Sequence, residues 1–143
     1  MKGNEVLKVK EFILGGSSEF TIKQDGTDSS EPVSYNYKVK RNDNGTCWFV
    51  YAETAGEGKL KYHGYIKRDM TFHHSDKGVS LEGGCFNSKA VKGLIWVLRN
   101  SEKLPKKVHV LHHGRCSVCG KKLTDEESVK YGIGPTCRKK VGL

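Results

Sequence analysis

Val33-Ser34-Tyr35-Asn36-Tyr37-Lys38-Val39-Lys40, the turn Asn42-Asp43-Asn44-Gly45, and Thr46-Cys47-Trp48-Phe49-Val50-Tyr51-Ala52-Glu53 form the stretch that decides the fold. Valine and tyrosine alternate with serine, asparagine and lysine through the first eight residues, the period of a strand with one wet face. Asparagine and glycine accept the positive φ that tight hairpins require, so the chain should reverse at 42–45 and return antiparallel. The returning segment is dense in apolar and aromatic side chains, which predicts a central strand covered on both faces.

Upstream, Glu19 to Lys23 alternates around Phe20 and Ile22 as a half-buried strand does. Before it, Val6 to Leu14 stops at Gly15-Gly16 and reads as a short helix ending in a glycine cap or as a first strand, with the helix preferred. Gln24 to Pro32 is a polar loop, and downstream Leu60–Lys67 and Met70–His74 continue the meander. Asp76 to Gly84 is a further loop. Asn87 or Ser88 can then cap a helix running to about Glu102, with Val91, Leu94, Ile95 and Leu98 on one face and Pro105 barring extension. Val108 to Leu111 is the last strand. The predicted class is α+β: an antiparallel β-sheet meander with a packed amphipathic helix over residues 1–108, joined to a C-terminal module over 109–143.

That module carries the chemistry. Cys116 and Cys119, two residues apart and followed by Gly120, have the form of a zinc knuckle, and Cys137 follows where a second ligand pair is expected. A four-cysteine ribbon would place its last thiol at 140, but that residue is Lys140, so a histidine must complete the set. His112 and His113 point to opposite faces of an extended segment, and His112 is the preferred ligand. His112, Cys116, Cys119 and Cys137 would then enclose Zn2+ in a closed structural site, zinc-ribbon-like or treble-clef-like, against the alternative of three ordinary buried cysteines. Thr124 and Glu127 form a capping box for a short helix, Gly132 can end it, and Gly134-Pro135 opens another, putting Cys137 near a helix N-terminus that favours thiolate. Cys47 and Cys85 are left as buried free thiols.

A chain of 143 residues with a formal net charge of +9 and a pI near 9.3 favours an anionic partner. Nucleic acid, DNA or RNA, is the first choice, contacted by Arg115, Lys121, Lys122, Arg138, Lys139 and Lys140 around the metal module. Tyr35, Tyr37, Trp48, Phe49, Tyr51, Tyr62 and Tyr65 are expected in the core rather than at a stacking surface. An acidic protein surface would suit the same charge. Catalysis would have to start from His63, His73 and His74 with Asp69 or Asp76, yet no paired-carboxylate, phosphate-cradling or nucleophile motif accompanies them, so no catalytic residue is expected. No stretch is apolar enough for a membrane span, no signal-peptide core follows Met1, and the cysteine pattern suits a reducing interior.

Phe12-Ile13-Leu14-Gly15-Gly16 with Phe20-Thr21-Ile22, the Trp48-Phe49-Val50 strand, the amphipathic helix, and above all His112-x-Gly114-Arg115-Cys116-x-x-Cys119-Gly120-Lys121-x-Leu123-Thr124 with Ser128 and Gly132-Ile133-Gly134-Pro135-x-Cys137 carry a resemblance. Together they resemble a family of small proteins of unknown function found mainly in bacteriophages and prophages. The family's single histidine, four residues before the first cysteine, maps onto His112. The resemblance implies a phage accessory protein acting in the host bacterial cytoplasm, in DNA metabolism, host takeover or counter-defence, and implies no particular activity.

Overall fold

The computed structural model describes residues 5–26, 28–29, 32–53, 60–74 and 89–142. Strands β1 (Ser17–Gln24), β2 (Val33–Arg41), β3 (Cys47–Glu53), β4 (Leu60–Lys67) and β5 (Phe72–His74) run as an antiparallel meander. Strand β6 (Val108–His112) then returns to the far edge and pairs antiparallel with β1, giving a six-stranded sheet in the order β5-β4-β3-β2-β1-β6. The 42–45 turn closes as its residues dictate. Gly45 takes φ 70°, the Asn42 amide donates to the Cys47 carbonyl at 3.0 Å, and the Asn42 side-chain oxygen accepts from the Thr46 amide at 2.9 Å.

Alternation along each strand gives the sheet one dry face, built from Phe20, Ile22, Tyr37, Val39, Trp48, Val50, Ala52, Ile66 and Val110. Helices α1 (Val9–Ile13) and α2 (Lys89–Arg99) belong to this core. Phe12 of α1 meets Phe20 edge to face at 5.8 Å, and the Tyr37 hydroxyl donates to the Ala90 carbonyl of α2 at 2.6 Å. The expected apolar stripe of Val91, Leu94 and Leu98 is buried, together with Ala90 and Val97, while Ile95 is half-buried and Lys92 and Arg99 face solvent. The helix caps at Asn87 or Ser88, the 76–84 loop and Cys85 lie outside the described residues.

Two expectations change. Among the described residues, strand β3 is covered on one face only: Trp48, Val50 and Ala52 point inward, while Cys47, Phe49 and Tyr51 are half-buried on the other side. An unbroken apolar run reads as doubly covered, but here the described helices all contribute to one core and the outward aromatics shelter one another. Cys47 is accordingly half-buried rather than sealed.

The boundary between residues 108 and 109 also dissolves. It falls inside β6, whose Phe20–His112 and Ile22–Val110 pairings make it an integral strand of the sheet. Beyond β6 the tail is stitched to the start of the chain, with the Ser17 amide donating to the Ser117 carbonyl at 2.6 Å and the Leu7 amide to the Lys130 carbonyl at 3.0 Å. Gly15 lies so close to Ser117 that any side chain there would collide with its hydroxyl and carbonyl. Ile133, Cys116 and Cys137 join the same cluster of buried residues as the sheet and helices. Sheet and tail therefore share one hydrophobic core.

Candidate metal centre

The tail after β6 is a turn followed by two short helices, α3 (Glu126–Tyr131) and α4 (Pro135–Lys140). In the turn, the Gly120 amide donates to the Cys116 carbonyl at 2.9 Å and the Cys116 amide to the Lys121 carbonyl at 2.8 Å, with Gly120 at φ 79°. Arg115 and Lys122 bridge its two arms. Helix α3 begins one residue later than the capping box suggested. Asp125, not Thr124, is the N-cap, its carboxylate accepting from the Ser128 amide at 3.1 Å, and hydrogen bonds from the Ser128 side chain and then its amide lower the pKa. Gly132 ends the helix at φ 70°, where a side chain would also strike the Phe12 ring. Pro135 then occupies the first turn of α4 with Gly134 as N-cap, as its position implied.

These elements bring Cys116, Cys119 and Cys137 together, with all three sulfurs within 4.8 Å of one another. Three sulfurs around one ion at a bond length of about 2.3 Å stand roughly 3.8 Å apart, so the cluster has the size of a metal site. Cys116 and Cys137 are buried and Cys119 is exposed. Burial alone would push the Cys116 thiol up, but backbone N–H groups outweigh it and its pKa is lowered. Among them are the amides of Gly134 and Val118, at 3.3 and 3.4 Å from Sγ. Cys137 goes the other way, to about 11, through burial and then the neighbouring thiols. The thiolate preparation expected at the helix N-terminus thus sits on Cys116. A cation among the sulfurs would offset the burial and the neighbouring thiols that hold Cys137 protonated.

His112 stands outside this cluster. It is 1% exposed, and both ring nitrogens meet backbone: Nε2 donates to the Val129 carbonyl at 2.7 Å and Nδ1 accepts from the Gly114 amide at 2.9 Å. Burial lowers its pKa, which suits the neutral ring that this pair of bonds requires. His113 lies on the other side of the strand, 2.8 Å from the Thr21 hydroxyl. Spacing placed a histidine near the cysteines, but β6 turns the imidazole into the core beneath α3. His112→Asn should therefore lower the melting temperature while leaving the bound metal per chain unchanged. Elemental analysis of the purified variant checks this, and loss of metal at full folding would return His112 to the ligand set.

The three cysteines line one cleft of about 350 Å³ together with Lys121, Lys122 and Lys140. An enclosed four-ligand site was expected; here the sulfurs border an opening. Of the other basic candidates, Lys139 and Arg115 are exposed, with Arg115 donating to the Gly120 carbonyl at 3.2 Å. Arg138 is half-buried, donates to the Ser128 hydroxyl at 3.4 Å and lies over the Tyr131 ring. It serves packing as much as surface charge.

Of the histidines and carboxylates considered for catalysis, among the described residues only Asp69 and His73 come together, with the Thr71 hydroxyl 2.6 Å from the Asp69 carboxylate and 3.0 Å from His73 Nε2. His63 is buried with Nδ1 2.7 Å from the Lys61 carbonyl, His73 stacks on Tyr65, and Asp69 accepts from Thr71. Asp76 lies outside the described residues. Among the described helices none is long and apolar enough to cross a membrane.

Residues 107–142 match the model of a family described as a family of unknown function (DUF6011), so the segment from the start of β6 to the end of the tail is similar to that family. No curated protein and no solved structure matches the chain.

Proposed function

We propose that the protein is a non-enzymatic phage accessory protein, stabilised by Zn2+ on Cys116, Cys119 and Cys137, that binds nucleic acid through the basic surface around that site. The observation that carries this reading is the shared cleft, where Lys121, Lys122 and Lys140 border the three sulfurs. Thiolates are soft ligands that suit zinc, and three of them give the site a net negative charge. A cation so neutralised polarises substrates weakly, so its part is to hold the tail in shape. The lysines then face outward from a fixed frame, where clustered cations release counterions from phosphates. The implied setting is the cytoplasm of the bacterial host.

Binding to a short DNA or RNA should be measurable at low salt and fall by roughly 10²-fold or more between 50 and 200 mM salt, read by fluorescence anisotropy. No binding to either nucleic acid at low salt would remove the proposal.

A second reading, an inhibitor of a host or anti-phage defence complex that docks on an acidic protein, draws on a different feature. Trp96 of α2 is 45% exposed and borders a cleft with Ile22, Val97, Pro105 and Val108. Exposed tryptophan beside apolar surface is the composition of a protein-binding hot spot. A pull-down from nuclease-treated bacterial lysate separates the two readings, since a direct protein partner survives digestion and a nucleic-acid tether does not.

A further inference from the structure

The sheet face opposite the core carries aromatic rings that the hydrophobic core does not use. Residues paired across neighbouring strands share a face, and the register lays two rows over it. One row runs Lys40, Phe49, Tyr65, His73 from β2 to β5. The next runs Lys38, Tyr51, Tyr62 from β2 to β4. Phe49, Tyr51, Tyr62, Tyr65 and His73 are all half-buried, so each keeps part of its ring in solvent. They hold one another in place. Tyr65 and His73 stack at 5.2 Å, Tyr62 meets Phe49 edge-on at 6.1 Å, and Tyr51 and Tyr62 lie 5.4 Å apart.

Charge is placed to match. Lys38 and Lys40 stand in the two rows beside the rings, with Glu19 of β1 across from Lys38, and a cavity of about 490 Å³ is lined by Phe49, Tyr51, Lys40 and Arg41. The 42–44 turn completes its wall, with Asp43 as the one carboxylate against two cations. Successive rows on a sheet face lie roughly 7 Å apart. That spacing is comparable with the backbone repeat of an extended single strand.

We infer that this face is a stacking platform for single-stranded nucleic acid, with bases laid on Phe49, Tyr51 and Tyr62 and phosphates beside Lys38 and Lys40. The inference rests on the nucleic-acid reading above and adds to it a strandedness and a second surface. Every base has a π-face that a ring can meet, so such a platform tolerates any sequence. A duplex hides those faces inside its own stack, whereas an unpaired strand offers them. The cations at one border supply the attraction that an uncharged ligand would not need. The same register keeps these aromatics outside the core while Trp48, next to Phe49 on β3, is buried.

The test uses the full chain with its metal and a fluorescein-labelled thymidine oligomer, with a duplex of equal length as competitor. Wild type should bind the single strand in preference to the duplex. The double variant Phe49→Ala, Tyr51→Ala should weaken single-strand binding at least tenfold, and Tyr51→Phe alone should retain it. Both substituted rings are half-buried, so circular dichroism should show the sheet intact; if it does not, Lys40→Ala serves, with a several-fold loss and a shallower salt dependence expected. Photo-crosslinking with 5-iodouracil should place adducts on Phe49, Tyr51 or Tyr62. Adducts confined to residues 115–140, or full binding by the double variant while Lys121→Ala, Lys122→Ala, Lys140→Ala is weakened, would overturn the platform and leave the nucleic-acid reading standing. Absence of binding to any nucleic acid would remove both.

Discussion

Cys116→Ser should cost on the order of 3 to 5 kcal/mol of folding stability and make the protein indifferent to chelators. The variant loses one of three sulfurs and leaves the amides of Val118 and Gly134 aimed at an oxygen that cannot hold the metal as thiolate does. Metal binding contributes roughly 10 to 16 kcal/mol to folding in small finger peptides, where nothing else orders the chain. Here the loss is smaller because the tail is also held by Ile133 in the core and by hydrogen bonds from Ser17 and Leu7. Thermal unfolding followed by circular dichroism, with and without chelator, checks the expectation. Wild type should fall to the variant's melting temperature when chelated. An unchanged wild-type transition would show that no cation stabilises the tail.

Phe12→Ala should destabilise the protein by about 3 to 5 kcal/mol, the usual cost of emptying a large buried aromatic site. Its position makes the effect more than local. The ring is fully buried, lies 5.8 Å from Phe20 of the sheet and 6.3 Å from His112, and fills the space that any side chain at Gly132 would need. One phenyl group therefore wedges sheet, last strand and metal tail together. Hydrogen exchange should show protection falling together in β1 and in α3. If only the sheet amides lost protection, the two regions would be separate folding units and the shared core would be refuted.

The meander was legible because it is written locally. Alternation in 33–40, the Asn-Asp-Asn-Gly turn and the Gly132 and Pro135 helix signals each act over a few residues, and each element formed where its signal lay. The three-cysteine cluster was legible for the same reason, since a knuckle and a helix start are short-range geometry. What the residues did not disclose depends on which elements lie over which. Nothing in Cys47-Trp48-Phe49-Val50-Tyr51 says that helices cover one face only, so the outward rings read as core. Nor does the interval from His112 to Cys116 reveal that Val129 and Gly114 take both imidazole nitrogens. The closeness of Gly15 to Ser117 was equally hidden, because Gly15-Gly16 reads as a helix stop and gives no sign of a docking surface.

The place of β1 between β2 and β6 has a consequence for how the molecule comes into being. Thr21 and His113 share a hydrogen bond across 92 positions of chain, so β1 keeps one bare edge until β6 has left the ribosome. Loop closure over that span comes late and slowly, as it does in proteins dominated by non-local pairing. The three clustered cysteines all follow β6, so a metal ion held there would bind later still, and a chain stalled before β6 would present an open strand available for aggregation.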